Sequence, residues 1–266
     1  MSSKGFKYLI KSKSLRFMNG LKDKSHHVSS LIWNDKKVYY RSSTSDMTLI
    51  YEILLQSKYK SEYFFPKEIN PKIIFDIGGN IGITAIYLAK VFPDAIIYTF
   101  EPLKENFELL EKNIQFYQNI KAFNFGLGSE NGNFKVYLSN DSENFGGISF
   151  YPNPVGNKAE SYVLCEVKNI NDIIKNFNIE SIDLIKIDTE GAEYDILASL
   201  EEKILRKTSW LAGELHGNRD FELLSYLERL GFSISLKKEI DNRLFMFNAG
   251  KGTVISRLSR RDIKTL

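Results

Sequence analysis

Residues 73–82 read IIFDIGGNIG. Ile73, Ile74 and Phe75 run straight into an acid, Asp76, and glycines follow at positions 78, 79 and 82 around Asn80. An apolar run without alternation is the pattern of a strand buried on both faces. Glycines directly after it let the chain turn sharply, with backbone N–H groups and one carboxylate facing a ligand. The spacing, an acid and then Gly-x-x-x-Gly, matches neither the dinucleotide pattern G-x-G-x-x-G nor the phosphate loop G-x-x-x-x-G-K-[ST]. With no phosphate-loop lysine and an acid at the strand tip, the turn suits a zwitterionic or cationic ligand such as S-adenosylmethionine.

Outward from this turn, strands and helices alternate. Strand 73–76 leads to helix 83–91, strand 95–100 to helix 103–116, and strand 122–125 ends at Gly126-Leu127-Gly128. Alternating stretches 134–138 and 161–167 flank a Gly/Asn/Pro-rich segment, 140–157, read as a specificity loop near the pocket. Helix 170–177, strand 182–188, helix 192–205, strand 210–216 and helix 220–230 follow. A hairpin, 232–238 and 244–248 about a turn at Asp241-Asn242, closes the series. Such alternation predicts a parallel sheet with helices on both faces, and the hairpin adds an antiparallel strand. Upstream, a short strand, 37–40, and a helix opened by Thr44, Ser45 or Asp46 and running to about Tyr59 belong to an extension over 1–70.

Composition narrows the function. Hydrophobic residues are 43% of 266, enough for a full core. A lone cysteine, Cys165, excludes an internal disulfide, and with three histidines a multi-histidine or cysteine metal site is not expected. The net charge of +3 is uneven: residues 1–24 carry +6, residues 251–266 carry +4, and the body between carries −7. An acidic body does not fit a nucleic-acid surface. The basic ends fit peripheral contact with an anionic membrane, and Phe6, Leu9, Ile10, Phe17, Met18 and Leu21 keep an amphipathic helix in view. No apolar run reaches the ~20 residues of a membrane span, and the chain reads as soluble and cytoplasmic.

Asp76, Glu101, Gly126, Asp188, Glu214 and His216 all fall at or just past strand ends, where ligands bind in open parallel sheets. Glu101 lies one strand-helix-strand unit after Asp76, where an acid accepts hydrogen bonds from ribose hydroxyls. In Ile182–Glu193, IDLIKIDTEGAE, the two-residue period puts Lys186 and Asp188 on one side and predicts an ion pair. Asp188, opposite the glycine turn, faces the reacting centre, whereas Glu190 and Glu193 also fit as acids of a helix's first turn. Glu214 and His216 share a side. His216, with an ordinary pKa of about 6.5, is the candidate general base and Glu214 the residue that orients it.

FDIGGNIG at 75–82, FEP at 100–102 followed by Asn106 and Asn113, KIDTEGAE at 186–193 and RSSTSD at 41–46 resemble the FkbM family of S-adenosylmethionine-dependent methyltransferases over roughly residues 38–250. The resemblance implies a Rossmann-like class I methyltransferase fold, a seven-stranded mostly parallel sheet with a C-terminal antiparallel hairpin. It implies S-adenosyl-L-methionine as cofactor and methylation of an oxygen, often on a sugar, glycolipid, lipo-oligosaccharide or polyketide. Asp76, Gly78, Asn80 and Gly82 then line the methionine end, Glu101 holds the ribose with Pro102 and Gly126 as further cofactor-binding positions, and Asp188 sits near the methyl. The family commonly has alanine at Gly79, which the turn should tolerate, and valine at Thr189. No metal is required, although Asp188, Glu190 and Glu214 could gather one cation.

The reading is thus an O-methyltransferase of a carbohydrate or other small-molecule hydroxyl, with domains at 1–70, 71–250 and a basic tail at 251–266. Nucleic-acid or amine N-methylation is disfavoured because Asp188-Thr-Glu-Gly stands where that class carries [DN]-P-P-[YFW]. Glycine spacing disfavours a nicotinamide dehydrogenase. A membrane-docked binding protein is the non-enzyme alternative.

Overall fold

The computed structural model describes residues 3–56, 63, 65–138, 148–149, 162–216, 219–239 and 245–251. Helices α1 (Ser3–Ser12) and α2 (Leu15–Gly20) open the chain, followed by the hairpin β1 (Val28–Trp33) and β2 (Lys36–Arg41). Helix α3 (Ser45–Leu49) continues as a π-helical turn, Ile50–Leu55. Thr44 is its N-cap, accepting a hydrogen bond from Asp46 N.

The central unit comprises β3 (Ile73–Ile77), α4 (Ile83–Val91), β4 (Ile96–Phe100), α5 (Lys104–Ile114) and β5 (Ile120–Phe123). Strands β6 (Gly126–Gly128), β7 (Gly132–Leu138), β8 (Ile148–Ser149) and β9 (Tyr162–Asn169) form a separate four-stranded sheet in the order β6-β9-β7-β8. Then come α6 (Ile170–Asn176), β10 (Leu184–Ile187), α7 (Glu193–Ser199), α8 (Glu202–Lys207), β11 (Trp210–Leu215), α9 (Asp220–Arg229), β12 (Ser233–Glu239) and β13 (Phe245–Gly250). The main sheet runs β12-β13-β11-β10-β3-β4-β5. Strands β11, β10, β3, β4 and β5 are parallel, and β13 is antiparallel to both its neighbours. This is the expected Rossmann-like, mostly parallel seven-stranded sheet with its terminal hairpin.

Both faces of the sheet are buried, which is why its strands read as continuous apolar runs. One face carries an aromatic row of Phe75, Tyr98, Phe100, Phe123 and Phe177 with successive centroids about 5–6 Å apart. The other face shares one core with the chain's first seventy residues: Tyr8, Phe17, Leu31, Tyr40, Met47 and Phe65 pack in the same cluster as Ile74, Ile86 and Leu88.

Several boundaries differ from the sequence expectation. The hairpin partner β1 and the helices α1 and α2 join the strand expected at 37–40. Strand 122–125 lies two residues earlier, because Asn124 leaves the ladder and its Nδ2 donates to Glu101 O and Pro102 O. Residues 126–128 then start the second sheet. The helix expected over 192–205 is two helices, with Leu200 extended between them. Asn171 clamps that break, donating to Ser199 O at 2.8 Å and accepting from Glu201 N at 2.9 Å. Most of segment 140–157, the turn Asp241-Asn242 and residues 252–266 lie outside the described residues.

Asn106 and Asn113, spaced seven apart on α5, bind the early chain to the sheet. Arg41 is buried and pairs with Asp46 through Nε and Nη2 at 2.8 and 2.9 Å, and its Nη2 also donates to Asn106 Oδ1 at 2.8 Å. Asn113 accepts from Tyr39 N at 2.6 Å and donates to Tyr39 O and Ile81 O at 3.0 and 2.8 Å. The segment 1–70, proposed from sequence as an extension, is thereby fastened to the glycine turn itself.

Candidate active site

The glycine turn sits at the carboxyl end of β3. Its N–H groups are spent inside the protein: Gly78 N and Gly79 N both donate to Phe100 O at 3.1 and 2.9 Å, and Gly82 N donates to Gly79 O at 2.8 Å. This corrects the expectation that the turn presents those donors to a ligand. The glycines instead allow close approach. Gly78 has φ +82°, and a Cβ there would lie 1.8 Å from the Asp188 carbonyl oxygen. Gly79 is likewise close-packed. A Cβ would meet Thr99 Oγ1 at 2.3 Å, and that hydroxyl is committed to Asp76 Oδ2 at 2.8 Å.

Asp76 is fully buried rather than open to a pocket. Lys186 Nζ lies 3.5 Å from Asp76 Oδ1 and 3.9 Å from Asp188 Oδ2, and it donates to Gly78 O at 2.6 Å. The ion pair predicted for Lys186 is therefore three-sided, joining β3, β10 and the turn. Burial pushes the Asp76 carboxyl up, against the opposing pull of Lys186 and Thr99. Asp76 holds the turn's shape from behind.

Glu101, at the tip of β4, is 2% exposed. It accepts from Asn80 N through Oε2 at 2.8 Å and from Leu103 N through Oε1 at 2.9 Å. Burial pushes its carboxyl up to about 7. Asn80 has φ +47°, and its Oδ1 is buried with no hydrogen-bond partner among the described residues. Gly126 abuts Pro102, since a Cβ on Gly126 would meet Pro102 Cβ at 3.5 Å. Turn, acid, proline and second glycine therefore adjoin.

Beside them, the ends of β10 and β11 bring four carboxylates around one imidazole. His216 Nδ1 is 3.3 Å from Glu193 Oε1, and its Nε2 is 3.2 Å from Glu214, 3.6 Å from Glu190 and 3.9 Å from Asp188. Glu193 is held by donors from Thr189 N, Thr189 Oγ1 and Gly191 N. Burial alone would raise Glu193, but these bonds and His216 keep it below its ordinary value. Burial alone would lower His216, yet the hydrogen bonds of Glu193 and Glu214 and the charges of Asp188 and Glu190 push it up to about 12. A histidine so held is an imidazolium near neutrality and has no lone pair for a substrate proton. This corrects the general-base assignment of His216 and, with it, the orienting role of Glu214, which serves here as a counter-charge.

The remaining acids move the other way. Burial lifts Asp188 to about 6 and Glu190 to about 8, opposed by Lys186 for the first and His216 for the second. Both stay partly open, with 25% and 33% of the side chain exposed. Glu190 occupies a left-handed backbone conformation, φ +55°, ahead of Gly191. The sequence reading has Glu190 and Glu193 as acids of a helix's first turn, Glu190 also as one of three acids that could gather a cation, and Lys186 as an ion-pair partner, and it does not name Thr99. The density of acids in KIDTEGAE was the available signal for the first three, and Thr99 had none. One ligand atom each from Asp188, Glu193 and His216 lies within 4.8 Å of the others, a set that could hold a metal ion only with the His216 proton displaced.

Stability should follow these shifts. Glu101, Asp188 and Glu190 bind protons in the folded state above the ordinary carboxylate range, and His216 binds one far above the usual imidazole range. In each case the folded form holds more protons than the unfolded chain, so stability falls as pH rises. Glu193 acts oppositely, at acid pH only. Urea unfolding of the ligand-free protein should give a free energy about 2–4 kcal/mol lower at roughly pH 8 than at pH 5. Glu101→Gln should flatten that slope. A stability that rises over this range would contradict the assigned burial costs.

The pattern of the "Methyltransferase FkbM domain" family matches residues 76–234. The chain is 27% identical over 208 residues to the AMB antimetabolite synthetase AmbE of Pseudomonas aeruginosa, a match covering 63% of this chain but only 10% of that much longer protein. It is 27% identical over 235 residues to methyltransferase sdnD of Sordaria araneosa, covering 77% of this chain and 89% of the relative. It is 26% identical over 160 residues to 2-O-methyltransferase NoeI of Sinorhizobium fredii, covering 56% and 65%.

Proposed function

The chain belongs to the FkbM methyltransferase family, and from that premise we propose that it transfers the methyl group of S-adenosyl-L-methionine to a hydroxyl oxygen of a sugar or glycoconjugate. The observation that carries this reading is the junction of the β3, β4, β10 and β11 ends, where acceptor atoms and negative charge meet. Asn80 Oδ1 is a buried acceptor without a donor among the described residues, and Glu101 is a buried carboxylate beside it. Both suit the hydroxyl and ammonium donors of a nucleoside–amino acid conjugate, and the surrounding acids suit a cation.

When bound, the donor supplies a methyl carbon made electrophilic by its sulfonium. Glu101 would accept from the ribose hydroxyls, and Asn80 would accept from a neighbouring donor group. Asp188 is ionised near neutrality and partly exposed, so it takes the proton of the attacking hydroxyl as the bond forms. Protonated His216 keeps Asp188 and Glu214 close despite their like charges. An open cavity of about 430 Å³ is lined by Leu127, Phe134, Tyr137, Val167 and Ile196, with Glu130, Lys135 and Asp195 among its polar groups. Ala192, at the head of α7, also lines it, so space with apolar walls lies next to the acidic cluster. Oxygen as the acceptor atom is supported by the relative named as a 2-O-methyltransferase.

Calorimetry with S-adenosyl-L-methionine, paired with methyl-transfer assays on a panel of glycan and glycolipid hydroxyls, tests the reading. Glu101→Ala should weaken donor binding by about tenfold or more. Asp188→Asn should slow transfer by about a hundredfold or more with a smaller change in donor affinity. Donor binding that ignores Glu101, or transfer only to nitrogen, would overturn the assignment.

A further inference from the structure

The opening helices and hairpin carry a feature that methyl transfer does not use. On α1, Phe6 and Ile10 stand four residues apart and are 53% and 56% exposed. The inward face of the same helix is Gly5, Tyr8, Leu9 and Ser12, with Tyr8 stacked on Tyr51. Lys7 and Lys11 form the adjoining exposed row. Leu15, Val28 and Ile32 add three more exposed apolar side chains on α2 and β1. Exposed apolar side chains flanked by lysines are what an interfacial helix presents to a bilayer.

Next to Leu15 and Val28 in the chain opens a polar cavity of about 430 Å³, lined by Arg16, Asn19, Asp23, His27, Ser29 and Ser42 together with Gly20. Ser29 is 8% exposed, and its Oγ has no hydrogen-bond partner. Tyr40, its direct cross-strand partner, is fully buried and its hydroxyl is equally unsatisfied. Burial raises the Tyr40 phenol, opposed by a side-chain contact with Ser29 and by the charge of Arg16. Arg16 has no ion-pair partner among the described residues. The one acid in the cavity, Asp23, is already engaged by His27 Nδ1 at 2.7 Å and Ser25 Oγ at 2.6 Å. The Ser29 hydroxyl and the Arg16 guanidinium, both lining the cavity, make a seat for an oxyanion.

We propose that residues 3–32 dock this protein on an anionic lipid bilayer, with Phe6, Ile10 and Leu15 entering the interface and a lipid phosphate seated between Arg16, Asn19 and Ser29. Charge complementarity favours this occupant: residues 1–24 carry seven lysines and arginines against one aspartate.

Flotation of the full chain with phosphatidylcholine vesicles, with and without phosphatidylglycerol, tests the proposal. Binding should require phosphatidylglycerol and weaken at high salt. Phe6→Ser combined with Ile10→Ser, and separately Arg16→Gln, should each reduce binding by about tenfold. These side chains are exposed, so unchanged circular dichroism and donor affinity will show that the fold is intact. Equal binding to neutral vesicles, or binding unaffected by either variant, would overturn the proposal. So would calorimetric binding of inorganic phosphate at Arg16 with no vesicle binding, which would make the cavity a site for a soluble phosphate.

Discussion

Lys186→Met is expected to destabilise the protein by about 3–5 kcal/mol and to abolish donor binding. Methionine matches the length of the lysine stem, so the loss is electrostatic rather than a cavity. The substitution leaves the carboxylate of Asp76 at zero exposure with only Thr99 to meet it, and it removes the donor to Gly78 O. A buried charge stripped of its partner costs far more than a surface pair ever contributes. The strain falls on the glycine turn, because Asp76, Gly78 and Lys186 form one connected unit across β3 and β10. Urea unfolding and donor calorimetry read both effects. Adding Asp76→Asn to Lys186→Met should recover part of the stability, since the double variant buries no unpaired charge. A single variant within about 1 kcal/mol of wild type would show that the network is not needed for folding.

Gly78→Ala should be as damaging for a different reason, with a loss of about 3 kcal/mol or more. The left-handed backbone alone costs an L-residue about 1–2 kcal/mol. The new methyl would also press into the Asp188 carbonyl at 1.8 Å, a backbone atom that cannot rotate away. Relief requires the ends of β3 and β10 to part, which displaces Asp188 from Lys186 and His216. Gly231→Ala is the internal control. Its φ is +86°, nearly the same, but nothing lies within 4 Å of the added Cβ. It should lose only the conformational part, about 1–2 kcal/mol, and keep donor binding. If both variants behave alike, the close approach of turn and strand has no energetic weight.

The two variants show what kind of information each level carries. The presence of Lys186, Asp188 and the glycines at strand ends was legible, because strands buried on both faces announce themselves as apolar runs and their punctuation is local. The parallel character of the sheet followed from alternating strands and helices. The N-terminal seventy residues were harder. Their apolar positions are set by packing against α4 and α5, and α1 shows solvent Phe6 and Ile10 while its inward face holds Tyr8. Helix 192–205 was misread for a similar reason: Asn171, some thirty residues away, supplies the two hydrogen bonds that let the chain break at Leu200.

For the site, the sequence by itself determined which acids stand at which strand ends. Those assignments depend only on period and order along the chain. Tertiary structure alone decided what charge each group carries. His216 has the ordinary composition of a base, but acidic side chains from the ends of β10 and β11, the turn before α7 and the first residue of α7 push it up to about 12. Asp76 has the position of a ligand-facing acid, but Lys186 and Thr99 close over it. A pKa is a property of surroundings, and those surroundings come from segments more than a hundred residues apart in the chain for Asp76 and Lys186. No local pattern in a sequence carries that sum.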